Sequence, residues 1–177
     1  MQDSSRAIVL TSAGASGAVA AGLAAAAPAL AAALDLPLEF LEPQRPPAEQ
    51  LAALLRGPLP RLLGLPVDPG LFREDGSHWA EALGAWRQPT LVLLPAAALE
   101  SGAPAAAVAL LRQWQVPLLG VVQAGGPWQA GLRRSDGLPW LGWLPSGTPE
   151  DPEHQEALED LRRALALRYP LLEAELA

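Results

Sequence analysis

The turn Ser12-Ala13-Gly14-Ala15-Ser16-Gly17 comes nearest, in residue type and spacing, to a known chemistry. It follows a short apolar run, residues 7–11, and leads into an alanine-rich stretch from about Ala18 to Ala33. Strand, glycine turn and helix form the setting of a phosphate-binding loop, where backbone N–H groups and a helix amino terminus wrap an anion. The working loop reads G-x-x-x-x-G-K-[S/T]; its lysine neutralises phosphate charge and its hydroxyl binds Mg²⁺. Aligned on that pattern, Gly17 keeps the second glycine. Ser12 replaces the first glycine, Ala18 the lysine and Val19 the hydroxyl. Ser12, Gly14, Ser16 and Gly17 are the candidate binding positions of a degenerate loop. A plain strand-to-helix turn that binds nothing uses the same residues.

Composition narrows the chemistry further. All 12 basic residues are arginine, which excludes a Schiff-base lysine, a lysine general base and a phosphate-loop lysine. There is no cysteine, so thiol nucleophiles, zinc–thiolate sites and disulfides are excluded as well. A formal charge of −7 argues against nucleic acid or an anionic membrane as partner. Ser101, His78 and an aspartate lack the G-x-S-x-G elbow that would make them a hydrolase triad. Trp128, in Gly125-Gly126-Pro127-Trp128, falls on a loop at the expected carboxyl end of a strand, where open α/β sheets bind ligands. It marks a second candidate pocket.

The elements that must position these residues alternate. Residues 7–11, 90–94 and 116–122 are apolar runs expected as strands buried on both faces. Leu38 to Leu41 and Leu141 to Leu144 are shorter strand candidates. The alanine-rich helix contains Pro28, which is expected to kink it or end its first part. Pro46 and Pro47 can start a short helix over Ala48 to Arg56. Gly57 to Gly76, with Pro58, Pro60, Pro66 and Pro69, reads as loop with at most one helical turn. Asp75 or Ser77 would cap a helix through Trp86, and Ser101 one running to Trp114. Thr148 or Asp151 opens the last helix, with Arg162, Arg163 and Arg168 toward its far end. Trp79, Trp86, Trp114, Trp140 and Trp143 are expected in the core. His154 and the loop pair Arg133-Arg134 are expected in solvent or ion-paired. Strands alternating with helices predict one α/β domain over 1–177, three layers with a mainly parallel sheet.

The chain resembles dethiobiotin synthetase and its relatives among the phosphate-loop ATPases. The likeness is carried by Leu38-Glu39-Phe40-Leu41-Glu42-Pro43-Gln44, by His78 to Leu94, by Val116 to Val122 and by Leu138 to Pro145. It implies a P-loop NTPase-like fold, an ATP- and Mg²⁺-dependent ring closure in biotin biosynthesis, and a homodimer with its substrate site across the interface. The departures fall on the chemistry. Glu42 stands where the family has a second lysine, and Ala124 where it has an adenine-reading asparagine. Of the family's acidic motif only Asp68 and Gly70 remain, which leaves Asp68 as the one candidate metal ligand. The expectation is a non-catalytic binding or regulatory protein with no cofactor and an unidentified small-molecule ligand. The alternative is a divergent dethiobiotin synthase that still uses ATP and Mg²⁺, with arginine or a partner supplying the missing charge.

Residues 7–34 carry no charge, and a run of that length suits a membrane span or a signal peptide over 1–33. The small-residue turn interrupts the run, and Asp3 accompanies Arg6 ahead of it. A strand, turn and buried helix in a cytoplasmic protein, with no membrane anchor, is the expectation.

Overall fold

The strands are β1 Ile8–Thr11, β2 Leu38–Phe40, β3 Leu62–Gly64, β4 Thr90–Pro95, β5 Leu118–Ala124 and β6 Trp140–Leu144. The helices are α1 Ser16–Leu34, α2 Pro47–Leu54, α3 Trp79–Ala85, α4 Ala103–Gln113, α5 Ala130–Ser135 and α6 Pro152–Leu176. The computed structural model describes residues 7–54, 56–57, 60–148 and 150–176. Asp3, Arg6, Pro58 and Pro149 of the sequence expectations lie outside the described residues. The strands make one sheet in the order β2-β3-β1-β4-β5-β6, every neighbour parallel. The fold is therefore α/β with helices on both faces, the three-layer, P-loop-like arrangement expected.

Period-two alternation along the central strands builds two cores. Ile8 and Leu10 of β1 and Leu91 and Leu93 of β4 face α1 and α6, meeting Leu23, Leu30, Leu161 and Leu165. Val9, Val92 and Leu94 face the other way, toward Leu51, Trp79, Leu83 and Leu111 of α2, α3 and α4. Among the described residues α1 is the one helix long and apolar enough to cross a membrane. Its Val19, Leu23, Ala27 and Leu30 are nevertheless buried in the first core. Residues 7–34 thus supply a central strand and the helix that covers it.

Several expectations need correction. The stretch 57–76 contains β3, which lies between β1 and β2. Three residues flanked by prolines carry too little propensity to read as a strand. Ladders on both sides hold them there, pairing Leu63 with Val9 and with Glu39. α1 runs through Pro28 unbroken. Pro28 and Ala24 are both exposed, so the carbonyl that loses its partner faces water. The cap of α3 is His78, whose Nδ1 accepts the Glu81 N–H, rather than Asp75 or Ser77. Arg133 and Arg134 lie on α5, not on a loop. The last helix continues to Leu176, so Arg162 and Arg163 fall in its middle.

The aromatic and histidine expectations also change. Only Trp79 of the five tryptophans is fully buried; Trp86 and Trp114 are about two-fifths exposed, and Trp140 and Trp143 are intermediate. His154 is buried, with Nδ1 3.3 Å from the Pro145 carbonyl, because its helix start folds back over β6.

The turns after α1, α3 and α4 close the same way. Leu36 N–H reaches Ala31 O, Gln88 N–H reaches Leu83 O and Val116 N–H reaches Leu111 O. The residue before each donor is left-handed: Asp35 (φ 55°), Arg87 (φ 47°) and Gln115 (φ 54°). Glycine usually takes this position. Here three side chains, one of them a guanidinium, project from it instead.

Candidate functional site

The chain leaves β1 toward one edge of the sheet and reaches β4 on the other side of β1, so the direction of travel reverses there. In an open parallel sheet, ligands bind at the carboxyl ends of the strands beside that reversal. A cleft of about 380 Å³ lies at this place. Its floor is Thr11, Ser12 and Gly14, one wall is Asp68-Pro69 after β3, and the other is Ala106 and Leu110 of α4.

The loop itself carries an anion, but one from the protein. The Gly14 N–H donates to Oδ2 of Asp68 at 2.8 Å, and the Gly70 N–H to Oδ1 at 2.8 Å. Gly14 has φ 130°, a conformation that leaves side-chain-bearing residues strained, which is what turns its N–H toward the carboxylate. The Thr11 hydroxyl donates to Val67 O at 3.2 Å and ties the end of β1 to the Asp68 segment. No side chain caps α1 at Ala15. A carboxylate on the loop just ahead of α1 complements the positive end of the helix dipole.

The sequence-selected residues separate. Ser12, Gly14 and Asp68 line the cleft. Ser16 lies in a neighbouring depression of about 590 Å³ with Gln44, Phe72, Arg73 and Trp79. Gly17 is exposed on α1, and a Cβ there would meet nothing within 4 Å. Asp68 has both oxygens on backbone amides. Among the described residues no group of three or more His, Asp and Glu is placed to hold a metal ion.

Trp128 stands away from the cleft. Its ring is edge-on to Trp140 at 6.2 Å, and the Arg133 guanidinium lies 5.0 Å from the centre of the Trp140 ring. Gln123, fully buried, donates to the carbonyls of Gly125 and Pro127 and accepts from Arg133 Nε. This network closes the 125–128 loop over the end of β5. Glu42 is exposed and pairs with Arg45 at 3.2 Å, and its backbone N–H and C=O are both held by the Gln50 amide.

In the neighbouring depression Arg73 donates to the carbonyls of Pro43 and Gln44, and its Nε lies 3.7 Å from Asp75. The Ser77 hydroxyl and amide, with the Arg73 charge, hold the Asp75 carboxyl below its usual range. Sequence reasoning missed the Gly14–Asp68 bond, which spans 54 residues and has no local signal. No protein-family model matches the chain, and no curated protein is significantly similar to it.

Proposed function

We propose that this protein is a non-catalytic binding domain whose cleft takes a small, uncharged, largely apolar ligand and not a nucleotide. The observation that carries the reading is the Asp68 carboxylate on the Gly14 amide, in the place where a phosphate-binding loop would hold phosphate. An incoming phosphate at about 4 Å would meet a like charge costing roughly 1 kcal/mol in water and about 4 at a protein surface. The helix terminus returns only about 0.3–1 kcal/mol. Repulsion wins, and the chain has no lysine to reverse the balance. What remains beside the loop is Val92, Ala106, Ala107, Leu110 and Leu111, a wall suited to an apolar body. On this reading the likeness to dethiobiotin synthetase is one of fold plan, with the ATP chemistry gone and biotin synthesis no part of the role.

Calorimetry with Mg-ATP and a fluorescence titration with the neutral dye Nile red test this together. No Mg-ATP heat that Ala106→Phe removes is expected up to the millimolar range. Saturable dye binding is expected, and Ala106→Phe, which fills the cleft, should abolish it. A low-micromolar dissociation constant for Mg-ATP that Ala106→Phe abolishes would overturn the proposal and revive the ligase reading. Dye binding unchanged by Ala106→Phe would remove the cleft from it.

A further inference from the structure

At the opposite, amino end of the sheet a cleft of about 350 Å³ opens where α3 and α4 turn into β4 and β5. Arg87, Arg112 and Arg168 line it, together with the apolar side chains of Val116, Pro117 and Leu172. The arginines come from three separate elements: the turn after α3, the last turn of α4 and the middle of α6.

The rest of the arginine inventory makes these three distinctive. Every other described arginine donates to a carboxylate or a carbonyl. The guanidinium groups of Arg87, Arg112 and Arg168 have no hydrogen bond or ion pair among the described residues, and all three residues line this one cleft. The described residues that line it include no acid. In a chain of net charge −7, with carboxylates outnumbering arginines 19 to 12, leaving three guanidiniums unpaired around one concavity is not what charge balance alone produces. Like charges around one cleft repel, and no acid among the described residues that line it offsets them. Arg87 moreover occupies a left-handed turn position that glycine would hold with less strain.

We infer that this cleft binds a small oxyanion carrying at least two negative charges. Guanidinium groups bind phosphate and carboxylate oxygens through paired N–H donors. A cleft of this volume fits a small molecule and not a polymer backbone. Val116, Pro117 and Leu172 exclude water from one side of the charges, which strengthens each contact. A phosphate ester and a polycarboxylate share this chemistry.

Calorimetry with pyrophosphate and, separately, with citrate decides the matter and distinguishes the two sources. At low salt at least one should bind with a dissociation constant of about 100 μM or tighter, weakening steeply as salt rises. Arg112→Gln should weaken it roughly tenfold, the loss of one charge-assisted contact. The Arg87→Gln, Arg112→Gln, Arg168→Gln triple variant should abolish it. Arg134→Gln, on an exposed face of α5, serves as the control and should change nothing. Circular dichroism of the single variant establishes that it folds. Pyrophosphate alone binding assigns a phosphorylated ligand, and citrate alone a polycarboxylate. If neither binds below about 10 mM, or if binding survives the triple substitution, the inference is wrong.

Discussion

The two ends of the sheet treat charge in opposite ways. At the carboxyl end, where a parallel α/β sheet conventionally receives an anion, the protein places its own Asp68 carboxylate on the loop amide. At the amino end, where no ligand is conventionally expected, it gathers Arg87, Arg112 and Arg168 with no carboxylate among the described lining residues. Position in a fold supplies the cleft. The partners left unpaired in that cleft decide what it can hold.

The amino-end cleft depends on how closely α3 approaches the end of α4, and Gly84 sets that distance. A Cβ at Gly84 would lie 1.8 Å from the Trp114 carbonyl oxygen. The atom it meets is backbone, so no side-chain rotation relieves the clash. Gly84→Ala should destabilise the fold by about 3 kcal/mol, the upper end for overpacking. It should also move Arg87 and Arg112 apart. Urea unfolding measures the first effect and the pyrophosphate and citrate titrations the second. A variant as stable as the parent would mean that the helices can separate freely and that the cleft has no fixed shape.

The converse change at the carboxyl end is Asp68→Asn. The amide keeps one acceptor for Gly14 or Gly70 and turns N–H donors toward the other. A loss of about 2 kcal/mol is expected from the missing charge-assisted bond. The same variant should let the loop take up inorganic phosphate weakly, in the millimolar range, because the repelling charge is gone. Unchanged stability in urea would show that the Asp68 contacts contribute nothing and would blur the contrast between the two ends.

How far this contrast was legible in the sequence follows from which contacts are local. The strands 7–11, 90–94 and 116–122 declared themselves because continuous apolar runs are what a doubly covered sheet requires. The loop 12–17 was legible as a turn because glycine and serine spacing is a local property. β3 was hidden, since Leu62 and Leu63 owe their extended backbone to ladders with residues far away in the chain. The carboxylate of Asp68 and the amide of Gly14 are joined only by folding, so the absence of lysine showed what the loop lacked but not what had filled it. Arg87, Arg112 and Arg168 are spread over 82 residues and nothing in their spacing groups them. The tryptophans misled because hydrophobicity alone does not separate a core residue from one at the rim. Trp86 and Trp114 close the α3 and α4 ends while staying partly in water.

Gly17 offers a smaller test of the same idea. In a working phosphate loop this glycine lets the backbone approach the anion. Here it is the second residue of α1 and a Cβ would meet open space. Gly17→Ala should therefore stabilise the protein by about 0.5 kcal/mol through helix propensity and a less flexible unfolded chain. A loss of stability would mean that the backbone at this position is under a constraint that the open surroundings do not reveal.

The smallest expected effect compares a paired arginine with an unpaired one through pH. Asp75 sits below its ordinary pKa because Ser77 donates to it through its hydroxyl and its amide, and Arg73 adds positive charge. A carboxylate depressed in the folded state contributes stability that is fully present above its unfolded pKa, near 3.9. That contribution is lost as pH falls through the lower, folded value. Asp75→Asn should thus be slightly less stable than the parent at pH 7, and the gap should close as pH falls below about 4. Asp75 is exposed, so the gap will be small, and urea midpoints at closely spaced pH values are the measurement to use. Arg112→Gln should show no such acid-dependent gap, since no carboxylate among the described residues pairs with Arg112. A gap for Asp75→Asn that does not narrow as pH is lowered below about 4 would assign the effect to packing instead of charge. An acid-sensitive gap for Arg112→Gln would reveal a carboxylate partner at the amino-end cleft and remove the contrast between the two ends.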